Sequence, residues 1–390
     1  MALPLYYNWR NLLVRRLSTT LTFVVVGVVV FVLALLLSFA AGIRASLVAS
    51  GSPENVLVLT PGSTSESTSI IRPSELAPLV QTPGVAQDER GRPLLSPELC
   101  VQTTLRRPGS GGGQANVAVR GVDDTAFAVH PEVRIVEGRP FQQGALEAIV
   151  GKAARDRYLG LQVGDRLTLG RRGEREFAIV GVFETAGGAL ESEIWTPRTM
   201  LEDAFQRRFL SSVCLRLADP ATAPQAIAFI NGPAIGLAAQ PETHYYTKLA
   251  AKTREIVVLT TLLITIMAIG AAFAVANTMY SAVDSRRREI AMLRTLGFGG
   301  GSILLAFVVE SLLICLAACG AGLAATALFN GSRQDYLSDT TWTVLAYELR
   351  LTPQIVAASL ATALLVGLAG ALAPATRAAR LNILEAVRKG

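Results

Sequence analysis

The chain has 390 residues, 51% hydrophobic and only 17% charged, with a mean hydropathy of +0.42 and a formal net charge of +6. Such an apolar composition excludes an ordinary soluble protein and directs attention to membrane spans. The positive balance does not argue for nucleic acid, because neither a nucleic-acid motif nor an aromatic-basic surface accompanies it.

Residues 1–17 are short and basic, with Arg10, Arg15 and Arg16. Residues 18–43 form the first uncharged run and the first expected transmembrane helix. Ser38-Phe39-Ala40 loosely fits a signal-cleavage site. The run is far longer than the roughly 7–15-residue core of a signal peptide, so it reads as a retained anchor.

Residues 44–254 form a large segment of mixed α+β character, expected outside the cytoplasm. Short strands with turn signals are expected at 55–59, 115–122, within 147–170, at 176–183 and within 211–220. Helices are expected over 73–81, 151–159 and 197–205, and flexible loops over 61–69 and 106–114. Cys100 and Cys214 fall in this segment, where a disulfide is chemically permitted but not implied. The two histidines, His130 and His244, lack partners at ligand spacing. Both read as surface or interface residues, and no metal site is expected.

The second, third and fourth spans are expected at 255–283, 302–329 and 351–374. A basic loop, 284–301, joins the second to the third, and an outer loop, 330–350, joins the third to the fourth. A tail, 375–390, follows. Each run exceeds the ~20 residues a helix needs to cross about 30 Å of hydrocarbon. Residues 1–17, 284–301 and 375–390 together carry 11 of the 36 Lys and Arg and 3 of the 30 Asp and Glu. All three therefore belong on the cytoplasmic side, with both termini cytoplasmic in a multi-pass inner-membrane protein.

Small residues recur at four-residue spacing along three spans. The clearest stripe is Ser359, Ala363, Gly367 and Ala371; Ala268, Ala272 and Ala276, and Ala317, Ala321 and Ala325, are the others. Such stripes let helix backbones approach closely in lipid. Cys315 and Cys319, one turn apart, read as small packing residues.

No covalent chemistry is legible. The one Gly-Lys pair, Gly151-Lys152, is followed by Ala153, with Leu146 where a P-loop needs its first Gly. Neither a nucleophile elbow nor a His-Glu-x-x-His motif occurs. The chain reads as no enzyme, and any work it does draws energy from another chain.

The basic loop is patterned as a short amphipathic helix. Ile290, Leu293 and Leu296 recur along one line and Arg287 and Arg294 along its neighbour, with Gly297 placed to end it. Two readings stand level on physics alone: a positive loop lying on anionic headgroups, or a docking helix for a cytoplasmic partner.

The stretch "SRRREIAMLRTLGFGGGSILLAFVVESLL" resembles the signature of the FtsX-like permease family, the membrane subunits of MacB-type (type VII) ABC transporters. Its Arg-x-x-Glu-Ile-x-x-Leu-Arg-x-Leu-Gly pattern falls on Arg286 through Gly297, with Glu289 within it and Glu310 early in the next span. "PATRAARLNILEAVRKG" resembles the family's closing motif, with Val387 where Leu is usual. "NWRNLLVRRLSTTLTFVVVGVVV" resembles its N-terminal interfacial helix and first span, and "VRGVDDTAF", "IVEGRPF", "IVGKAARDRYLGLQVGDRLTL" and "FAIVGVFET" a MacB-like periplasmic core domain.

The resemblance implies a four-helix membrane protein with an α+β extracytoplasmic domain on a stalk. It implies a permease subunit whose cytoplasmic ABC ATPase partner binds the ATP and Mg, this chain holding no cofactor. Residues 286–297 would be the coupling helix. A second permease chain would complete a homo- or heterodimer, with membrane lipids and a periplasmic adaptor as further candidate partners. ATP-driven movement of the outer domains, mechanotransmission, would serve export or extraction of lipid, lipoprotein or drug-like substrates. The alternative is a membrane-anchored receptor or scaffold without an ATPase. Glu310 is expected to face protein, near Arg16 or the start of the coupling helix, because a carboxylate facing lipid there costs on the order of 2.5–3.5 kcal/mol.

Overall fold

A computed structural model describes residues 16–108, 113–171, 173, 175–185, 187–251, 253–337 and 344–380. The expected interfacial helix therefore lies almost wholly outside the described residues, as do the last ten residues of the expected tail. Helices of eight or more residues are α1 (Arg16–Val48), α2 (Arg198–Phe205), α3 (Ala223–Asn231), α4 (Glu242–Ala251), α5 (Thr253–Ser285), α6 (Arg287–Thr295), α7 (Gly300–Ala327) and α8 (Pro353–Ala379). The strands are β1 (Asn55–Leu59), β2 (Leu95–Arg106), β3 (Gln114–Val122), β4 (Arg134–Gly138), β5 (Glu147–Gly151), β6 (Arg166–Leu169), β7 (Arg175–Glu184), β8 (Glu193–Pro197), β9 (Ser212–Arg216), β10 (Ala238–Pro241), β11 (Arg333–Leu337) and β12 (Val344–Glu348). The chain divides into two units: 1–41, 253–332 and 349–390 form the first, and 42–252 with 333–348 the second.

The first unit is a helical bundle. Helices α1, α5, α7 and α8 each hold 27 to 30 residues of span-like composition, long enough to cross a membrane. Val26, Val30, Val275, Phe307, Ile314, Ala318, Ala363 and Ala371 are among the side chains that close its core. Backbones approach where side chains are absent. A Cβ on Gly322 would stand 2.7 Å from the Gly27 carbonyl, and one on Gly370 would stand 2.6 Å from the Val275 Cβ and 2.7 Å from the Ala272 carbonyl. Gly370→Ala should therefore lose to overpacking, about 1–3 kcal/mol, more than the roughly 1 kcal/mol that alanine gains over glycine in a helix. Its thermal midpoint in detergent is expected to fall. Gly320→Ala, with open space around the added methyl, should hold or raise it.

The second unit is built on a mixed ten-stranded sheet in the order β10-β1-β9-β2-β3-β8-β5-β7-β4, with β6 on β7. β3 runs parallel to β8 and β5 to β7; the remaining pairs are antiparallel. One core gathers Val56, Val58, Val213, Leu215, Ala226 and Ile230 under α3. A second gathers Leu99, Val101, Val117, Val119, Phe177 and Leu201 under α2. A third surrounds Trp195 with Phe141, Phe183 and Ile149. The fold class is thus four long apolar helices plus an α+β domain.

Three expectations need correction. Residues 61–69 read as a flexible loop, yet a 3-10 turn, Glu66–Thr68, carries buried Glu66 into the domain interior. Of the expected loop 106–114, residues 109–112 lie outside the described residues. The outer loop 330–350 contains the hairpin β11–β12, which belongs to the second unit. Asp335 pairs there with Arg107 at 3.2 Å and Arg157 at 2.7 Å, and Ser192 Oγ accepts from Ala346 N at 2.9 Å. His130 is buried at 4% exposure rather than lying on the surface, because β2, β9 and α4 bring Glu98, Cys214 and Glu242 to it; His244 is exposed.

Candidate functional site

Helix α6 is held at both ends by residues of its own motif. Arg286, just before it, donates to both oxygens of Glu310 at 2.9 and 3.1 Å and lies over the Phe307 ring at 5.7 Å. Glu310 thus faces protein, at the start of the cationic helix, with 4% exposure. Arg287 pairs with Asp284 at 2.7 Å, and Arg294 Nη1 donates to the Ala379 carbonyl at 2.6 Å, capping the end of α8. Glu289 is half-buried, and its carboxyl is raised by that burial and by the nearby charge of Glu310.

The helix stops as a Schellman turn. Gly297 takes φ +92°, Gly297 N donates to Arg294 O, and Phe298 N donates to Leu293 O at 3.1 Å. The apolar line divides. Ile290 sits in the bundle core, Leu293 is half-buried, and Leu296 is 70% exposed. Met292, which the sequence pattern did not single out, is 64% exposed. Arg288, Met292 and Leu296 therefore share one outward face at four-residue spacing. The i, i+4 relation of Met292 to Leu296 was the available signal.

The stripe Ser359, Ala363, Gly367 and Ala371 is buried throughout. A Cβ on Gly367 would meet Cys315 and Leu312 of α7 at 3.2 Å, and Ser311 Oγ donates to the Gly367 carbonyl at 3.0 Å. Ala317 and Ala321 point outward instead; Ala318 and Gly322, one position on, are the buried small residues of α7.

Inside the α+β unit lies a polar interior that sequence reasoning missed. Arg120 on β3 is 4% exposed. It binds Glu66 at 2.7 and 3.0 Å, Glu193 at 2.7 and 2.8 Å, and Glu98. Ser212 donates to Glu66 at 2.7 Å, Ser96 to Glu98 at 2.9 Å, and Trp195 Nε1 to Glu193 at 3.1 Å. Burial alone would raise the Glu98 carboxyl, but the charges of Arg120 and His130 outweigh it and hold Glu98 at about 2.

His130 adjoins this network, with Nε2 3.4 Å from Glu98 and Nδ1 3.2 Å from Glu132 and 4.0 Å from Glu242. Burial would lower its pKa, yet bonding to Cys214, Glu132 and Glu98 holds it well above its ordinary value. Burial pushes both Cys214 and Glu242 upward. Cys100 and Cys214 are both buried free thiols. Glu242 Oε2, on the first residue of α4, accepts from Ser52 N at 3.0 Å and Asn55 Nδ2 at 2.9 Å. Although no metal ligands were expected, His130, Cys214 and Glu242 place ligand atoms within 4.8 Å of one another.

Comparison with known proteins agrees with this layout. Residues 19–231 match the MacB-like periplasmic core domain, and residues 261–383 the FtsX-like permease C-terminal family. The chain is 27% identical over 337 residues to the macrolide export ATP-binding/permease protein MacB 1/2 of Paracoccus denitrificans (strain Pd 1222), covering 81% of this chain and 47% of that protein. It is 26% identical over 220 residues to an ABC transporter permease, YknZ, of Bacillus subtilis (strain 168), covering 54% of this chain and 53% of that one. The chain thus spans about half the length of these curated relatives. Among solved structures, the periplasmic region of MacB from Actinobacillus actinomycetemcomitans aligns with 50% of this chain and 92% of its own, at a TM-score of 0.37 and 10% identity. With the core-domain match alone covering more than half of its residues and the permease match most of the rest, the chain belongs to the MacB/FtsX-like family of ABC transporter permeases.

Proposed function

We propose that the chain is a transmembrane subunit that turns ATP hydrolysis by a cytoplasmic ATP-binding subunit into movement of its α+β domain outside the cytoplasm. The carrying observation is α6, a cationic helix between two span-like helices. Family membership supports a coupling role for it, and its motif residues are tied to its own unit while Arg288, Met292 and Leu296 face outward. The ATPase would seat on that face, with apolar knobs in a groove and Arg288 on an acidic rim. ATP and Mg would be held by the ATPase, with none on this chain.

Two copies would pair, or one would pair with a related permease chain, through apolar surface on the spans. Leu259, Leu262, Ile266 and Phe273 of α5, all more than half exposed, offer such surface to a second chain or to lipid. The basic loops support a cytoplasmic side for α6 and both termini. The substrate class proposed is lipid, lipoprotein or drug-like, handled from the outer side with or without a periplasmic adaptor; macrolides are what the MacB relative's name specifies.

The test is reconstitution in lipid nanodiscs with candidate ATP-binding subunits. The chain alone should hydrolyse no ATP, and one ATP-binding subunit should co-purify and hydrolyse ATP faster in the complex. Failure of every such subunit to bind, with the chain intact, would favour a receptor or scaffold instead.

A further inference from the structure

We propose that His130, Cys214 and Glu242 form a binding site for a zinc-class divalent cation inside the α+β domain. The site is independent of how the transporter is energised. Its ligand atoms come from three places in the chain: the turn that follows the short helix Ala126–Val129, strand β9, and the first residue of α4. All three residues are buried, at 4%, 1% and 2% exposure. A neutral imidazole, a thiolate and a carboxylate are the donor types zinc takes together, whereas magnesium and calcium select oxygen alone.

The spacing suits a metal after a small contraction. Ligand atoms of a tetrahedral zinc, bound at about 2.0–2.3 Å, stand roughly 3.3–3.8 Å apart. Here they stand within 4.8 Å, with His130 Nδ1 4.0 Å from Glu242 Oε1. If Nδ1 is the ligand, Nε2–H is left facing Glu98 at 3.4 Å, the carboxylate behind a histidine that commonly fixes a zinc ligand's ring.

A second observation points the same way. Asn55 is fully buried, and its Nδ2 donates to Glu242 and to the Val129 carbonyl, but its Oδ1 has no hydrogen-bond partner. An orphaned buried acceptor costs stability unless a donor or a cation satisfies it. Zinc takes cysteine as thiolate and histidine as neutral imidazole, so loading the site displaces protons from its ligands.

The site would clasp the root of the domain. Glu242 opens α4 and accepts from Ser52, which follows α1 in the chain. A cation there would tie the segments by which the chain enters and leaves the domain to strands β1 and β9.

The experiment uses the full chain in nanodiscs, stripped with chelator and titrated with Co2+ and then Zn2+. One equivalent of Co2+ should give a thiolate-to-cobalt charge-transfer band that Zn2+ abolishes. The band should survive Cys100→Ser and vanish in Cys214→Ser and His130→Gln. Should either variant fail to fold, the wild type still decides, because zinc must raise its thermal midpoint. Absence of the wild-type band at excess Co2+, or its persistence in Cys214→Ser, would overturn the proposal.

Discussion

Arg120→Met should cost the α+β domain about 3–5 kcal/mol, the usual effect of removing one partner from a buried ionic group. For a unit of this size that lowers the thermal midpoint by roughly 6–20 °C. The reason is what remains behind. Glu66, Glu98 and Glu193 all converge on the one guanidinium, and without it three carboxylates stay inside with hydroxyls, an indole N–H and the His130 ring beside Glu98 as the remaining partners. Arg120→Lys should fall between, because an ammonium cannot make the two-pronged contacts that Arg120 makes with both Glu66 and Glu193. Adding Glu98→Gln to Arg120→Met should recover part of the loss, since one buried charge is removed along with its partner. Arg166→Met, at an exposed pair with Glu176, should leave the midpoint unmoved. The measurement is thermal unfolding followed by a probe in the domain. An Arg120→Met midpoint within error of wild type would mean that the network contributes nothing to stability.

That network also shows where the sequence stops being readable. Strands β1, β3, β5, β7 and β9 were visible because alternating or continuous apolar runs mark them. On β2 and β9 the polar alternates Ser96, Glu98 and Ser212 have the pattern of a solvent-facing edge. They are buried instead, because the turn carrying Glu66, the segment around His130 and helix α4 cover that face. A period-2 pattern states that two faces differ; it does not state what covers the polar one. The same limit hid the proposed cation site. His130, Cys214 and Glu242 are 84 and 28 residues apart, far outside any local ligand spacing, and only the pairing of β9 with β1 and β2 draws their elements together. The spans and the end of α6 were legible because their signals are local: uncharged length, and a glycine in the left-handed region. The inward side of α6 was not, since a three-residue recurrence in so short a helix cannot tell which line meets the bundle.

Met292→Ala with Leu296→Ala should weaken binding of the ATP-binding subunit by two or more decades while leaving the permease folded. Both side chains are mostly exposed in this chain, at 64% and 70%, so truncating them removes little internal packing. In a partner's groove each would contribute roughly 1.5–3 kcal/mol when buried, and about 1.4 kcal/mol is a factor of ten. Ile290→Ala should act in the opposite place. Ile290 lies in the bundle core, so its loss should lower stability first and affect docking only through the fold. Charge reversal is best placed at Arg288, the exposed arginine of the outward face. Arg287 and Arg294 are occupied by Asp284 and the Ala379 carbonyl, so reversing either would disturb the helix itself. With Arg288→Glu, added salt should strengthen the weakened complex rather than loosen it, because screening then relieves repulsion. Co-purification and a binding isotherm on membrane-inserted variants check all three. Equal affinity for wild type and the Met292/Leu296 double variant would show that α6 rests on lipid headgroups and that the ATPase seats elsewhere.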